Sequence, residues 1–308
     1  MSLTARLVAR IGWGIVTVFG VYVLTFLMVI AIPGNPFQAS ERTMAPEIVE
    51  ALRARYSMDN NWLYFWEFLR GAVTLDFGPS FTYADWNCAE IIGSALPVSM
   101  AIGFLAIWLA LIVGVPIGIL GAVDRQGFWD GLTTVIVLAG LAIPTFVAGS
   151  VLLVLFAVWF PLFPIGGWGT LRHLPLPVVT LAVPYCAFIA RLTRDGLGES
   201  LASEYMRTAL AKGLTYRQAM FRHALKPALL PVLSFLGPAL AQAMTGSFVV
   251  EKIFSIPGLG QHFVNAALNL DSGLILGTVL VFSTLLVIMN LLVDLLYQWL
   301  DPRIRESL

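Results

Sequence analysis

The chain has 308 residues, 58% of them hydrophobic and 12% charged, and its 18 basic and 18 acidic side chains cancel to a net charge of zero. Soluble domains carry about 25% charged residues; half that load leaves too little polar surface to cover a water-exposed globule, so the excess apolar side chains face lipid. The balanced charge argues against a nucleic-acid partner, and Cys88 and Cys186 sit in no CxxC or Cys/His cluster, so neither a structural disulfide nor a metal site is expected.

A bilayer core about 30 Å thick takes roughly 20 apolar residues of helix, and six segments are predicted as spans. Gly12 to Ile32 is the first, closed by Pro33-Gly34-Asn35-Pro36. Arg6 and Arg10 precede it as in a signal peptide. The run outlasts a signal core of about 7–15 residues and ends in Ile-Pro, so a retained helix is expected. Pro33 to Leu96 is polar, with eight acids and four arginines. Within it Ile48, Leu52 and Tyr56 are spaced four apart, as in a short amphipathic helix over Pro46 to Met58. The segment fits both a solvated cap over helix ends and a docking surface for an external partner. Pro97 to Val123 and Gly131 to Phe160 follow as spans, then Leu176 to Ala190, interrupted by Pro177 and Pro184. Leu229 to Val250 and Leu274 to Leu300 complete the six. Neighbouring helices can satisfy backbone groups freed by Pro116, Pro144, Pro184 and Pro238. Gly114 and Gly118 form a GxxxG that predicts close helix packing.

Orientation follows from the basic residues. Six spans place both termini on one side, together with Arg125 and seven Lys and Arg between Arg191 and Lys226, twelve in all against six on the other side. The richer side is predicted to be cytoplasmic. Its long loop is well punctuated. Ser203 can N-cap a short helix with Glu204 in its first turn. Gly213 supplies a left-handed stop after Lys212. Thr215 and Gln218 have capping-box spacing, and Pro227 precedes the next span. A charge-only account makes this an ordinary basic loop, whereas the caps predict a rigid contact element.

Other chemistries find little support. Lysine occurs only at 212, 226 and 252, none in a Gly-Lys-Ser/Thr phosphate loop. HExxH and GxSxG are also missing, so a membrane enzyme has no recognisable site. An ion-coupled secondary transporter would need ionisable groups near mid-membrane. Asp294 is the clear exception in the spans, and it reads as a carboxylate near a helix end.

The cytoplasmic loop resembles the signature of binding-protein-dependent ABC permeases. Arg207-Thr208-Ala209 is followed by three residues and Gly213, then nine more to His223-Ala224-Leu225-Lys226. The letters around Gly213 and Leu214 resemble the dipeptide/oligopeptide/nickel branch. So do Ile253-Phe254-Ser255-Ile256-Pro257-Gly258-Leu259-Gly260, Asn290 to Tyr297, and Asp301-Pro302-Arg303-Ile304-Arg305. Ile32 to Phe37 and Asp76-Phe77-Gly78-Pro79-Ser80-Phe81 are similar to the first permease subunit of bacterial oligopeptide importers. Thr74-Leu75-Asp76 and Asp271-Ser272-Gly273 depart from that pattern.

The resemblance implies an all-α integral membrane protein with the type I ABC importer permease fold. It comprises a first span (1–32), an external segment (33–96) and a five-span core (97–308) containing the coupling loop 191–228. It implies a bacterial cytoplasmic-membrane permease for oligopeptides, with dipeptides or a nickel or other metal chelate as alternative cargo. The implied partners are a second homologous permease, two cytoplasmic ATP-binding subunits and an external peptide-binding protein, besides peptide and membrane lipid. ATP and magnesium would belong to the partners, with no cofactor or metal in this chain. Coupling would fall to Arg207, Thr208, Ala209, Lys212, Gly213, Leu214 and His223. Polar residues of spans tend to face a bundle interior, which makes Thr145, Ser150, Ser234, Gln242, Met244, Thr245 and Ser247 pathway candidates, although such side chains also bond helix to helix.

Overall fold

The computed structural model describes residues 3–32, 47, 60–83 and 86–300. Among them the regular structure is helical, apart from an isolated antiparallel bridge between Pro79 and Asn87. In chain order the helices are α1 (Leu3–Ala31), α2 (Asn61–Val73), α3 (Cys88–Val123), α4 (Phe128–Ala142), α5 (Thr145–Leu153), α6 (Pro175–Leu201), α7 (Glu204–Ala211), α8 (Tyr216–Ala219), α9 (Leu225–Ala228), α10 (Leu230–Met244), α11 (Phe248–Ile253), α12 (Leu259–Leu268) and α13 (Ser272–Leu300). Five helical stretches are long and apolar enough to cross a bilayer, and α4 with α5 supplies a sixth if that bent pair is one span. The chain is a multi-pass membrane protein.

Span boundaries differ from the sequence expectation in several places: α1 already begins at Leu3 rather than Gly12, and the fifth stretch is interrupted between Met244 and Phe248. Helix α3 begins at Cys88 rather than Pro97, because Ile91, Ile92 and Ala95 are buried and carry the helix beyond the run needed to cross lipid. Pro177 lies in the first turn of α6, where a missing N–H costs nothing. Pro184 is held inside the same helix, which continues to Leu201, so residues 191–201, expected as loop, are helical. The third span is bent by 98° between α4 and α5. Ile143 there is extended (φ −75°, ψ 118°), the conformation that a following proline imposes. The expected helix at 46–58 and the motifs at 33–37 and 301–305 lie outside the described residues.

The chain forms two compact units. The first comprises Met1–Met100, Thr245–Glu251 and Pro257–Ile288. In it α2 lies on α1 through an aromatic cluster. The rings of Phe26 and Phe65 meet edge to face at 5.0 Å, and the Tyr22 hydroxyl donates to the Phe65 carbonyl at 2.7 Å. Such an edge-to-face pair contributes about 0.5–1.5 kcal/mol beyond its buried area. Helix α2 starts at Asn60, whose side chain accepts the N–H groups of Trp62 and Leu63. It stops where the Thr74 N–H folds back to Gly71 and Leu75 turns left-handed at φ 60°.

Asp271 joins two distant parts of this unit. Fully buried, it caps α13 by accepting the Leu274 N–H on Oδ1 at 3.1 Å. Its Oδ2 accepts the Ser80 hydroxyl at 2.6 Å and the N–H groups of Phe81 and Thr82 at 2.9 and 3.0 Å.

The second unit comprises Ala101–Met244, Lys252–Ile256 and Met289–Leu308. Its helices approach α6 over small residues, as helices do in lipid. A Cβ on Gly114 would lie 2.7 Å from the Cys186 carbonyl oxygen, and one on Gly118 would lie 2.5 Å from that of Ala190. The GxxxG is thus the seam between α3 and α6. Gly140 of α4 leaves room for Ala187 in the same way. Arg194 of α6 pairs with Asp130, which also accepts the Gln126 N–H at 2.9 Å and so ties the α3–α4 turn to α6.

Candidate coupling surface and polar span residues

The loop beyond α6 is built on a small apolar core of its own. Met206 and Ala209 from α7, Ala219 from α8, and Met220 and Ala224 beyond it pack with Ala122 and Leu197. Helix α7 is therefore two-faced, with Glu204, Arg207 and Thr208 turned outward. Ser203 occupies the N-cap position, but its hydroxyl donates to the Ser200 carbonyl at 2.6 Å instead of capping the helix. The second cap forms as expected. Thr215 Oγ1 accepts the Gln218 N–H, and Gln218 Oε1 accepts the Thr215 N–H at 3.0 Å. Between the helices Gly213 is left-handed at φ +85°, with nothing within 4 Å of where a Cβ would stand.

Of the seven coupling candidates, Arg207, Thr208, Lys212, Gly213 and His223 are exposed. Leu214 is half-buried against the small core, and Ala209 is a core residue. Arg207 pairs with Glu204 at 2.9 Å with both side chains largely in solvent, an arrangement that contributes at most about 1 kcal/mol. The residues that sequence reasoning missed are apolar. Tyr205, Leu210, Tyr216 and Phe221 are all exposed, Phe221 at 60%. The available signal was the helical period, which turns 205 and 210 away from Met206 and Ala209.

The polar span residues divide between the two units. In the second, Ser234 and Gln242 are exposed on α10 and share a stripe with Pro231 and Pro238. Gln242 Oε1 accepts the hydroxyl of Tyr185 at 3.3 Å, another residue the sequence reading passed over, and the Ser234 hydroxyl donates to the Leu230 carbonyl at 3.1 Å. Thr145 is half-buried at the start of α5, Ser150 is exposed and Met244 is buried. In the first unit, Thr245 and Ser247 are half-buried beside Gly246.

Those last residues lead to a buried carboxyl. Glu251, 2% exposed, accepts the Ser99 hydroxyl at 2.7 Å and the Gln261 N–H at 2.8 Å. Ser99 in turn accepts the Leu259 N–H at 2.9 Å. Gly246, Gly258 and Gly260 close around the carboxyl: a Cβ on Gly246 or Gly258 would fall on an atom of Glu251, and one on Gly260 would lie 2.9 Å from the Phe248 nitrogen and 3.0 Å from the carboxyl. The Pro257-Gly258-Leu259-Gly260 motif is the wall of this cradle. Nearby, burial holds the His262 imidazole below its usual pKa, and its ring meets Tyr83 edge-on at 5.2 Å.

Residues 114–306 match the family described as binding-protein-dependent transport system inner membrane component. The oligopeptide transport system permease protein OppB of Escherichia coli K12 is 41% identical over 94% of this chain and 95% of its own. The dipeptide transport system permease protein DppB of Bacillus subtilis is 39% identical over 98% of both. A structure of the MetNI methionine ABC transporter covers 69% of this chain and 97% of its own at 20% identity, with a TM-score of 0.48.

Proposed function

The chain belongs to the binding-protein-dependent transport system inner membrane component family, and from that premise we propose that it is the permease subunit of an ATP-driven oligopeptide importer. The observation that carries this reading is the loop beyond α6. It is a pair of short helices on its own apolar core, set at a glycine elbow, with basic and apolar side chains facing out. Such a surface fits a groove in a partner. The proposed partners are two cytoplasmic subunits that bind ATP and magnesium, a second homologous permease and an external peptide-binding protein. Closure of the ATPases on ATP would draw the loop with it and shift the permease between inward-open and outward-open states, through contacts that differ between the two. The chain itself would hydrolyse nothing.

The proposed orientation in the cytoplasmic membrane puts both termini and the loop inside, by the excess of basic residues. In intact cells Asn60→Cys is expected to react with an impermeant maleimide and Thr215→Cys is not. The reverse pattern overturns the orientation.

Reconstituted with its partners, the chain is expected to support ATP-dependent uptake of a labelled oligopeptide, and omitting it to abolish uptake. Uptake that persists without it would overturn the assignment. Gln242→Trp is expected to cut uptake by about tenfold, the factor that about 1.4 kcal/mol carries, while assembly and basal ATPase activity persist. Loss of assembly instead would make Gln242 a helix-packing residue.

A further inference from the structure

Helix α2 is not one of the spans, yet it exposes an apolar face. Its Tyr64, Phe65 and Phe68 are buried on α1, while Trp62, Leu63, Trp66 and Val73 are exposed. Tryptophan-bearing amphipathic helices of this kind settle at the boundary between headgroups and hydrocarbon. Val73, the last residue of α2, is 83% exposed, and Leu75 beyond it is 67% exposed and held left-handed at φ 60°. The backbone thus accepts strain while leaving an apolar side chain uncovered.

These two residues stand at an open-sided hollow of about 440 Å³, within the roughly 300–1,000 Å³ range of small-molecule sites. Val18 of α1, Leu96 of α3, and Leu285 and Ile288 of α13 form other parts of its wall. At about 1.5 Å per residue, the α13 part of the wall lies roughly 12 to 24 Å along that helix, inside a hydrocarbon core of about 30 Å. Ile288, at the rim of the hollow, is itself exposed on α13. Thr284 is the one side chain with a hydrogen-bonding group among the lining residues.

We infer that this hollow is a lipid site, occupied by one acyl chain of a membrane phospholipid whose headgroup lies over the tryptophan end of α2. A peptide cargo is a poor fit, because its backbone amides would be buried against one hydroxyl, and an unpaired amide in an apolar site is costly. Water is a poor fit for the same reason, since apolar hollows stay dry. The inference rests on the chain's passage through the membrane and not on what the chain carries.

The test is acyl-chain photocrosslinking on the intact transporter in nanodiscs, using a phospholipid with a diazirine in its acyl chain and peptide mapping by mass spectrometry. Adducts are expected on residues 69–75 and 280–288 at about ten times the level found on Leu24, Leu27 and Met28, exposed on α1. Thr284→Trp, which fills the hollow, is expected to bring these adducts down to the α1 level and leave the α1 adducts unchanged. Ala72→Phe fills it from the opposite wall should the first variant fail to assemble. Equal labelling of the hollow and α1 in the wild type, or labelling unchanged in a filled variant, would mean ordinary surrounding lipid and overturn the site. Adducts missing from the hollow, with its residues crosslinkable to segment 33–59 or to another subunit, would overturn it equally.

Discussion

Gly213→Val is expected to reach the membrane at wild-type levels and to lose ATP-dependent uptake by about tenfold or more. The residue is left-handed at φ +85°, where a side chain with a Cβ costs roughly 1–2 kcal/mol. Nothing lies within 4 Å of the added Cβ, so the Cβ itself meets no clash and its cost is conformational. The chain relieves it by rotating the elbow between α7 and α8. The small core beneath, built on Met206, Ala209 and Met220, and the spans themselves are untouched. A partner groove accepts the pair of helices in one orientation, so the turn should weaken association with the ATPase subunits. Gly213→Asn is expected to be milder, because asparagine tolerates the left-handed region. Co-purification and uptake measured side by side check both. Wild-type uptake by the valine variant, with all subunits assembled, would reduce the loop to a basic connector.

Asp271→Ala is expected to damage the fold itself. The substitution leaves the Ser80 hydroxyl and the N–H groups of Phe81 and Leu274 without their acceptor in a buried site, while the Thr82 N–H keeps Ser80 Oγ at 3.2 Å. Each stranded donor costs about 1–3 kcal/mol, and breaking such a network falls among the large single-residue effects, above about 4 kcal/mol. Asp271→Asn can keep its oxygen toward Ser80, Phe81 and Thr82 and lose only the bond from Leu274, so it should fall between wild type and alanine. Monodispersity after heating in detergent measures this. An alanine variant as heat-resistant as the wild type would show that the network contributes nothing net.

Hydropathy located the spans because crossing lipid is a property of each segment by itself. Helix ends were less legible, because they depend on packing that an apolar run does not register. Ile91 and Ile92 extend α3 upstream, and α6 runs eleven residues past its apolar stretch to Leu201. Three prolines in spans behaved differently. Pro184 and Pro238 sit inside continuous helices, whereas Pro144 follows an extended Ile143 at the 98° bend. In the loop, Thr215 and Gln218 were readable because both partners lie within three residues. The Ser203 cap failed because a nearer carbonyl, that of Ser200, took its hydroxyl. The Asp271 and Glu251 networks were beyond reach, since Ser80 and Ser99 lie 191 and 152 residues from their partners.

Because Glu251 already occupies the space where a Cβ would stand on Gly246 or Gly258, and the Phe248 backbone nitrogen crowds that of Gly260, these four positions are not free to drift one at a time. An alanine at Gly246 or Gly258 collides with the carboxyl, and one at Gly260 meets the Phe248 backbone nitrogen at 2.9 Å. A shorter side chain at 251 pulls the acceptor away from Ser99 and Gln261 and leaves a void. Each single step is therefore a loss, and a viable path runs through paired replacements, one side chain shrinking as another grows. In mutational terms the cradle is one inherited character written at four sites, buffered against gradual change by its own geometry.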